Sequence, residues 1–272
     1  MSRNILGLGD ILDQFDGLLI DQFGVLHDGN EPFPEALPCL RKVAQTGTPV
    51  VAITNSGRMK EPNRQRLDRF GFTADLIGDI VTSGMVARSR IVDMLAEGDL
   101  NPGDAVLNLT RENDVTVLEG LGLVASNEVA SSTRLVLISG LKPEELTRQD
   151  YLQLLKPLAE RGIPAICANP DHMVYSHGKA AFGPGLVAAD YAEAGGDVTF
   201  AGKPGSEIFL KSLQSLGNPD PSRVLMIGDS HHHDIAGASR VGCKTLLIAS
   251  GVQAQGASQD TEPDFSIEAL RY

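Results

Sequence analysis

The chain has 272 residues, enough for one large α/β domain or a core interrupted by a second domain, and enough to bury a core without disulfides. Its 35 Asp+Glu against 23 Lys+Arg leave a formal charge of -12, a mean field of the wrong sign for a nucleic-acid backbone. An anionic substrate would need a local positive site, which a divalent cation can supply.

Cys39, Cys167 and Cys243 are widely spaced with no CxxC, which argues against a zinc site or disulfide framework and for buried reduced thiols. There is no apolar run of about 18 residues, and the start (MSRNILGLGDILDQFDG) lacks a basic head with a long apolar stretch. The expectation is a soluble, cytoplasmic protein with neither membrane nor nucleic acid as partner.

Short apolar runs alternate with helical patterns, the mark of a mostly parallel sheet with crossover helices. Gly17–Asp21 (GLLID) reads as a buried strand ending in an acid, and Pro49–Thr54 (PVVAIT) as a second, ending in hydroxyl and amide residues. Helices are expected over Glu61–Phe70 and within Val81–Glu97, the latter starting near Ser83. In the middle of the chain the theme repeats: Ala105–Leu109, Leu135–Ser139 and Pro164–Ala168 are strand-like, with a helix over Thr147–Arg161. Beyond, Arg223–Gly228 (RVLMIG) is a strand running into Asp229, Ile235–Val241 a helix, and Lys244–Ala249 (KTLLIA) a further strand. The outer segments read as parts of one sheet, so the middle is an insertion. The predicted fold is a doubly wound, Rossmann-like α/β core from residues 1–78 and 179–272 with an inserted α/β cap at 79–178. Gly78 and Gly178 mark the expected hinge neighbourhoods.

In open parallel sheets, ligands bind at the carboxyl ends of the strands, and four strand ends here supply chemistry in order. Asp21 follows GLLI; Thr54, Asn55 and Ser56 follow PVVAI; Lys203 stands in Ala201–Pro204 (AGKP); Asp229 and Asp234 lie in GDSHHHD. Singly, each has an ordinary role: an Asp or Thr-Asn-Ser can cap a helix, and a Lys is usually surface. The ordered set resembles the haloacid dehalogenase superfamily of phosphotransferases, within it the type IIA subfamily with a large α/β cap between the second and third motifs. Asn169-Pro170-Asp171 resembles that subfamily's cap motif, and Gly183-Pro184-Gly185 with AGKP its approach to the third motif. The resemblance spans essentially the whole chain.

What the resemblance implies fits the physics of phosphoryl transfer, which needs positioning and charge stabilisation above all. Asp21 is expected as nucleophile and metal ligand, Thr54 with Asn55 and Ser56 as phosphate contacts, and Lys203 as the balancing cation. Asp229 is expected as the second metal ligand, and Asp234 as the group that orients the metal's water or Lys203. The metal is expected to be Mg²⁺, with the Phe23 backbone carbonyl as a third protein ligand, and the substrate a small phosphorylated metabolite. The cap is expected to cover the strand ends and select substrate, and any association of copies to run through it.

The superfamily's phosphatases carry DxD at the first motif, and the second Asp exchanges protons with the leaving group and the attacking water. Here Asp21-Gln22-Phe23 leaves no proton at that position, so general acid–base catalysis is the function in question. Carbon–halogen or carbon–phosphorus cleavage, and a phospholigand-binding protein without turnover, are therefore the alternatives. Histidines are candidate substitutes for the proton: His27 in the loop after Asp21, and His231, His232 and His233 between Asp229 and Asp234, although exposed-loop or helix-start settings are the plainer reading of all four. Asn169, His172 and His177 are candidate substrate contacts from the cap.

Overall fold

A computed structural model describes residues 2–176, 179–251 and 261–272. His177 and Gly178, a candidate contact and a candidate hinge, lie outside the described residues.

In chain order the elements begin with β1 (Arg3–Asn4), β2 (Gly17–Asp21), α1 (Ala36–Thr46), β3 (Val50–Thr54), α2 (Lys60–Arg69), β4 (Asp79–Thr82) and α3 (Ser83–Glu97). Then come β5 (Ala105–Leu109), β6 (Val124–Ser126), β7 (Thr133–Ile138), α4 (Arg148–Glu160) and β8 (Ala165–Cys167). β9 (Met173–Ser176), β10 (Lys179–Phe182), α5 (Pro184–Glu193), β11 (Val198–Phe200) and α6 (Ser206–Ser215) follow. The chain closes with β12 (Val224–Gly228), α7 (Gly237–Arg240), β13 (Lys244–Ile248) and β14 (Phe265–Ile267).

Two compact units result. The first takes the chain up to Thr54, Glu61–Val81 and everything from Lys203 onward; the second takes Asn55–Lys60 and Thr82–Gly202. Among the described residues, the first unit is built on a seven-stranded sheet in the order β1-β14-β13-β12-β2-β3-β4. From β2 the chain steps outward through β3 to β4, and after the insertion it steps the other way from β12 through β13 to β14. The reversal falls between the paired strands β2 and β12, which run parallel with Ile20 opposite Ile227. Both are buried along their whole length, as continuous apolar runs in the middle of a parallel sheet must be. α1 covers the sheet by burying Ala36, Cys39, Leu40 and Val43 at helical spacing, and ends at Gly47 in the left-handed conformation (φ 78°).

The second unit has a five-stranded sheet, β11-β8-β7-β5-β6, parallel throughout, and an antiparallel β9–β10 pair. Its core joins Leu107, Val136, Ile138 and Leu155 to Val187, Ala188 and Tyr191 of α5. The return to the first unit is therefore at Lys203, not at residue 179 as the sequence suggests. β11 pairs with β8, Tyr191 is fully buried in the second core, and its hydroxyl donates to the Ile163 carbonyl at 2.6 Å. The outward crossing likewise falls after Val81, because β4 completes the edge of the first sheet. No helix among the described residues is long and apolar enough to cross a membrane.

Candidate active site

The point where strand order reverses is where an open α/β sheet leaves a crevice at its carboxyl edge. β2 delivers Asp21 there and β12 delivers Asp229, while β3, whose Ile53 lies opposite Asp21, brings Thr54 one residue further on. Asp234 comes from a π-helical turn, His231–Ala236, capped by Ser230, whose Oγ accepts the His233 N–H at 3.1 Å. Single π turns recur at functional sites because they re-aim side chains that a regular helix would space apart.

Asp21, Asp229 and Asp234 are all buried, and each places a carboxylate oxygen within 4.8 Å of the others. Lys203, 2 % exposed, is set between two of them: its Nζ lies 2.8 Å from Asp21 Oδ1 and 2.7 Å from Asp234 Oδ1. Asp21 Oδ1 also accepts the Gln22 N–H at 2.8 Å, and Asp234 Oδ2 accepts the Ser230 N–H at 3.0 Å. Burial pushes the Asp21 carboxyl well up; the Lys203 ammonium pulls it down, while Asp234 and Asp229 push it up again. Burial alone would lower Lys203, but the charges of Asp21 and Asp234 and their hydrogen bonds outweigh it and hold the ammonium above its usual range. One ammonium cannot neutralise three buried carboxylates. A hard divalent cation can, and the all-oxygen donor set fits one.

Two glycines that strand logic alone does not single out make the cluster possible. Gly24 has φ +84°, and a Cβ there would stand 2.1 Å from Asp229 Oδ2; at Gly228 a Cβ would stand 2.3 Å from the Asp234 carboxylate. Backbone can pass this close to the carboxylates only where no side chain exists. The signal was present in the sequence as a Gly three residues after Asp21 and another just before Asp229.

Other expected contacts are placed differently. Asn55 is buried, its side-chain amide bonded at both ends: Nδ2 donates to Asp171 Oδ1 at 2.8 Å and Oδ1 accepts from Ser83 Oγ at 3.2 Å. Ser56 is half-buried; its carbonyl accepts the Gly84 N–H at 3.1 Å. Asn169 uses Oδ1 to accept the Asp171 N–H at 3.1 Å, so it shapes its own turn. His172 and His232 are exposed, with His232 stacked edge-on against His233 at 5.2 Å.

His27 is neither in an exposed loop nor available as an acid. It is 1 % exposed, with Phe70 at 5.0 Å and Phe23 at 6.3 Å between ring centroids. Its Nδ1 accepts the Gly29 N–H at 3.0 Å, which puts the neutral ring's proton on Nε2, a buried atom with no hydrogen-bond partner among the described residues. Burial first, then Arg66, lowers its pKa from 6.5 to about 4. The folded state thus binds a proton less readily than the unfolded chain. The stability this confers is whole above pH 6.5 and is lost as pH falls toward 4. Urea titrations should show the wild type losing about 3 kcal/mol more than His27→Phe across that window. Parallel curves for the two proteins would refute a neutral buried His27.

Comparison with known proteins gives a consistent set. The family model described as haloacid dehalogenase-like hydrolase matches residues 18–124, and one described as HAD-hydrolase-like matches residues 200–271. A crystal structure of a haloacid dehalogenase-like family hydrolase from Brucella suis 1330 is 30 % identical, superposes with a TM-score of 0.84, and covers 98 % of this chain and 99 % of that one. Chronophin from Rattus norvegicus is 25 % identical over 274 residues, 97 % of this chain and 88 % of its own. The glycerol phosphate phosphatase of Mycobacterium tuberculosis, solved with magnesium, is 25 % identical with a TM-score of 0.73, covering 94 % of this chain and 76 % of that one.

Proposed function

This chain belongs to the haloacid dehalogenase-like hydrolases, and from that premise we propose that it is a Mg²⁺-dependent phosphatase of a small phosphorylated metabolite, working through an aspartyl-phosphate on Asp21. The observation that carries this reading is the buried cluster of Asp21, Asp229 and Asp234 around Lys203 at the strand-order reversal.

Asp21 Oδ1 is held by Lys203 and the Gln22 N–H, which leaves Oδ2 to attack phosphorus. The leaving oxygen departs with the P–O electron pair, and water then cleaves the acyl phosphate, freeing phosphate and the Asp21 carboxylate. Lys203 balances the phosphoryl charge, kept in place by Asp234, and the Thr54 hydroxyl at the end of β3 donates to a phosphoryl oxygen. Asp21, Asp229 and the Phe23 carbonyl would hold Mg²⁺, which when bound neutralises the two anions that must meet. The inserted unit selects the substrate. A third buried carboxylate favours this reading over carbon–halogen cleavage, which has no use for a cation site.

The test is phosphate release from aryl and acyl phosphates, sugar phosphates, nucleotides and phosphonates, with and without Mg²⁺. Mg²⁺-dependent release, fastest for aryl and acyl phosphates because Phe23 offers no proton, is expected. Silence across the panel, or halide release from haloacids in its place, would remove the phosphatase reading.

A further inference from the structure

The polar joint around Asn55 lies wholly in the second unit, yet its members are peptide neighbours of the reacting groups. Asn55 follows Thr54, and Gly202 precedes Lys203. The Asn55 amide is fixed by Asp171 on one side and Ser83 on the other. Gly202 closes against them: it has φ +120°, and a Cβ there would stand 2.0 Å from Ser83 Oγ, 2.7 Å from Asn55 Oδ1 and 3.1 Å from Pro170. Asp171 is itself held on the backbone side. Its N–H goes to Asn169 Oδ1, its carbonyl accepts the Gly185 N–H at 3.1 Å, and a Cβ at Gly183 would meet that carbonyl oxygen at 2.1 Å. Thus the start of α5 presses on the turn that carries Asp171, and Asp171 in turn holds a residue 116 positions away.

A partly buried network of mutual side-chain hydrogen bonds favours a single arrangement of the backbone that carries it. We propose that Asp171 is a positioning residue for phosphoryl transfer: through Asn55, and with Ser83 and Gly202, it fixes the backbone to which Thr54 and Lys203 are attached. The inference rests on the phosphatase reading. It also gives Asn169 a different part from the substrate contact expected of it, since Asn169 orients Asp171.

The variants that test it are Asp171→Ala, Asn55→Asp and the double exchange Asn55→Asp/Asp171→Asn. Asp171→Ala removes the acceptor. Asn55→Asp sets carboxylate against carboxylate. The double exchange restores one N–H···O bond with donor and acceptor interchanged, and position 55 can still accept from Ser83. With nitrophenyl phosphate, each single variant should lose roughly 10- to 100-fold in kcat while KM moves less than about threefold, as expected of a misplacement of about 1 Å. The double exchange should recover to within about threefold of wild type. A double variant as slow as Asn55→Asp, or an Asp171→Ala variant with wild-type kcat, overturns the proposal. If the wild type releases no phosphate, it is the phosphatase reading that has failed, and hydrogen exchange of the full chain decides the joint. Asp171→Ala should then speed exchange in residues 50–60 and 198–206 together; acceleration confined to residues 169–173 overturns it.

Discussion

Asp21→Asn should lower phosphate release by roughly 10⁴-fold or more while the protein stays folded. The size follows from what is lost together: the attacking anion, one oxygen ligand of the cation site and one partner of Lys203. The fold should survive because the change removes one of three buried negative charges that a single ammonium has to balance. Relieving uncompensated buried charge is neutral or stabilising. In metal-free buffer the melting temperature of Asp21→Asn should therefore match or exceed that of wild type. The Mg²⁺-induced rise in melting temperature should shrink, since stabilisation by a ligand tracks its affinity for the native state. Turnover retained with unchanged Mg²⁺ dependence would mean that another residue is the nucleophile.

Phe23→Asp should raise turnover of alkyl phosphates by roughly 10²–10⁴, the span of a positioned acid–base group. The wild type sends an alkoxide away without a protein proton, so leaving groups stable as anions lose little and alcohols lose most. Phe23 is half-buried, and its ring packs edge-on to His27 at 6.3 Å. Losing that contact should cost about 0.5–1.5 kcal/mol, visible as a lower melting temperature but not as unfolding. Phe23→Asn is the control, matching the size without the proton. Equal rates for Phe23→Asp and Phe23→Asn would show that no acid is missing. A wild type that already turns over alkyl phosphates at roughly 1–10³ s⁻¹ would point to another donor. His27 is disqualified by its burial, and His231, whose Nδ1 is buried without a hydrogen-bond partner among the described residues, would be the first to replace.

The parts of the fold legible in sequence were those fixed by uninterrupted apolar runs. GLLI, VVAI and VLMI became β2, β3 and β12 because a strand buried on both faces has no polar positions to hide, and the acids that stop two of those runs became the cluster. The boundary of the inserted unit was misplaced because β11 is a three-residue strand with Thr199 and Phe200 exposed, too short for alternation to be seen. Asn55 is expected as a phosphate contact because it sits beside Thr54; its bond to Asp171 was not legible, since that partner is remote in sequence and no local pattern announces such a pair. His27 looked exposed because Gly24 and Gly29 frame it as a loop. Phe23 and Phe70 nevertheless close over it, so loop-like chemistry ended up in the interior.

The three thiols give the molecule its own opening clock. Cys39, Cys167 and Cys243 are buried and unpaired, and burial pushes each up to about 12. A native population near neutral pH therefore offers an alkylating reagent almost no thiolate, and modification must wait for a chain segment to open. Cys39 and Cys243 belong to one unit and Cys167 to the other. Mass-resolved labelling against time would thus time the opening of each unit separately, without any engineered probe. The same property makes the purified protein slow to cross-link on storage, so the appearance of disulfide-linked dimers in a sample would register prior unfolding and not surface chemistry.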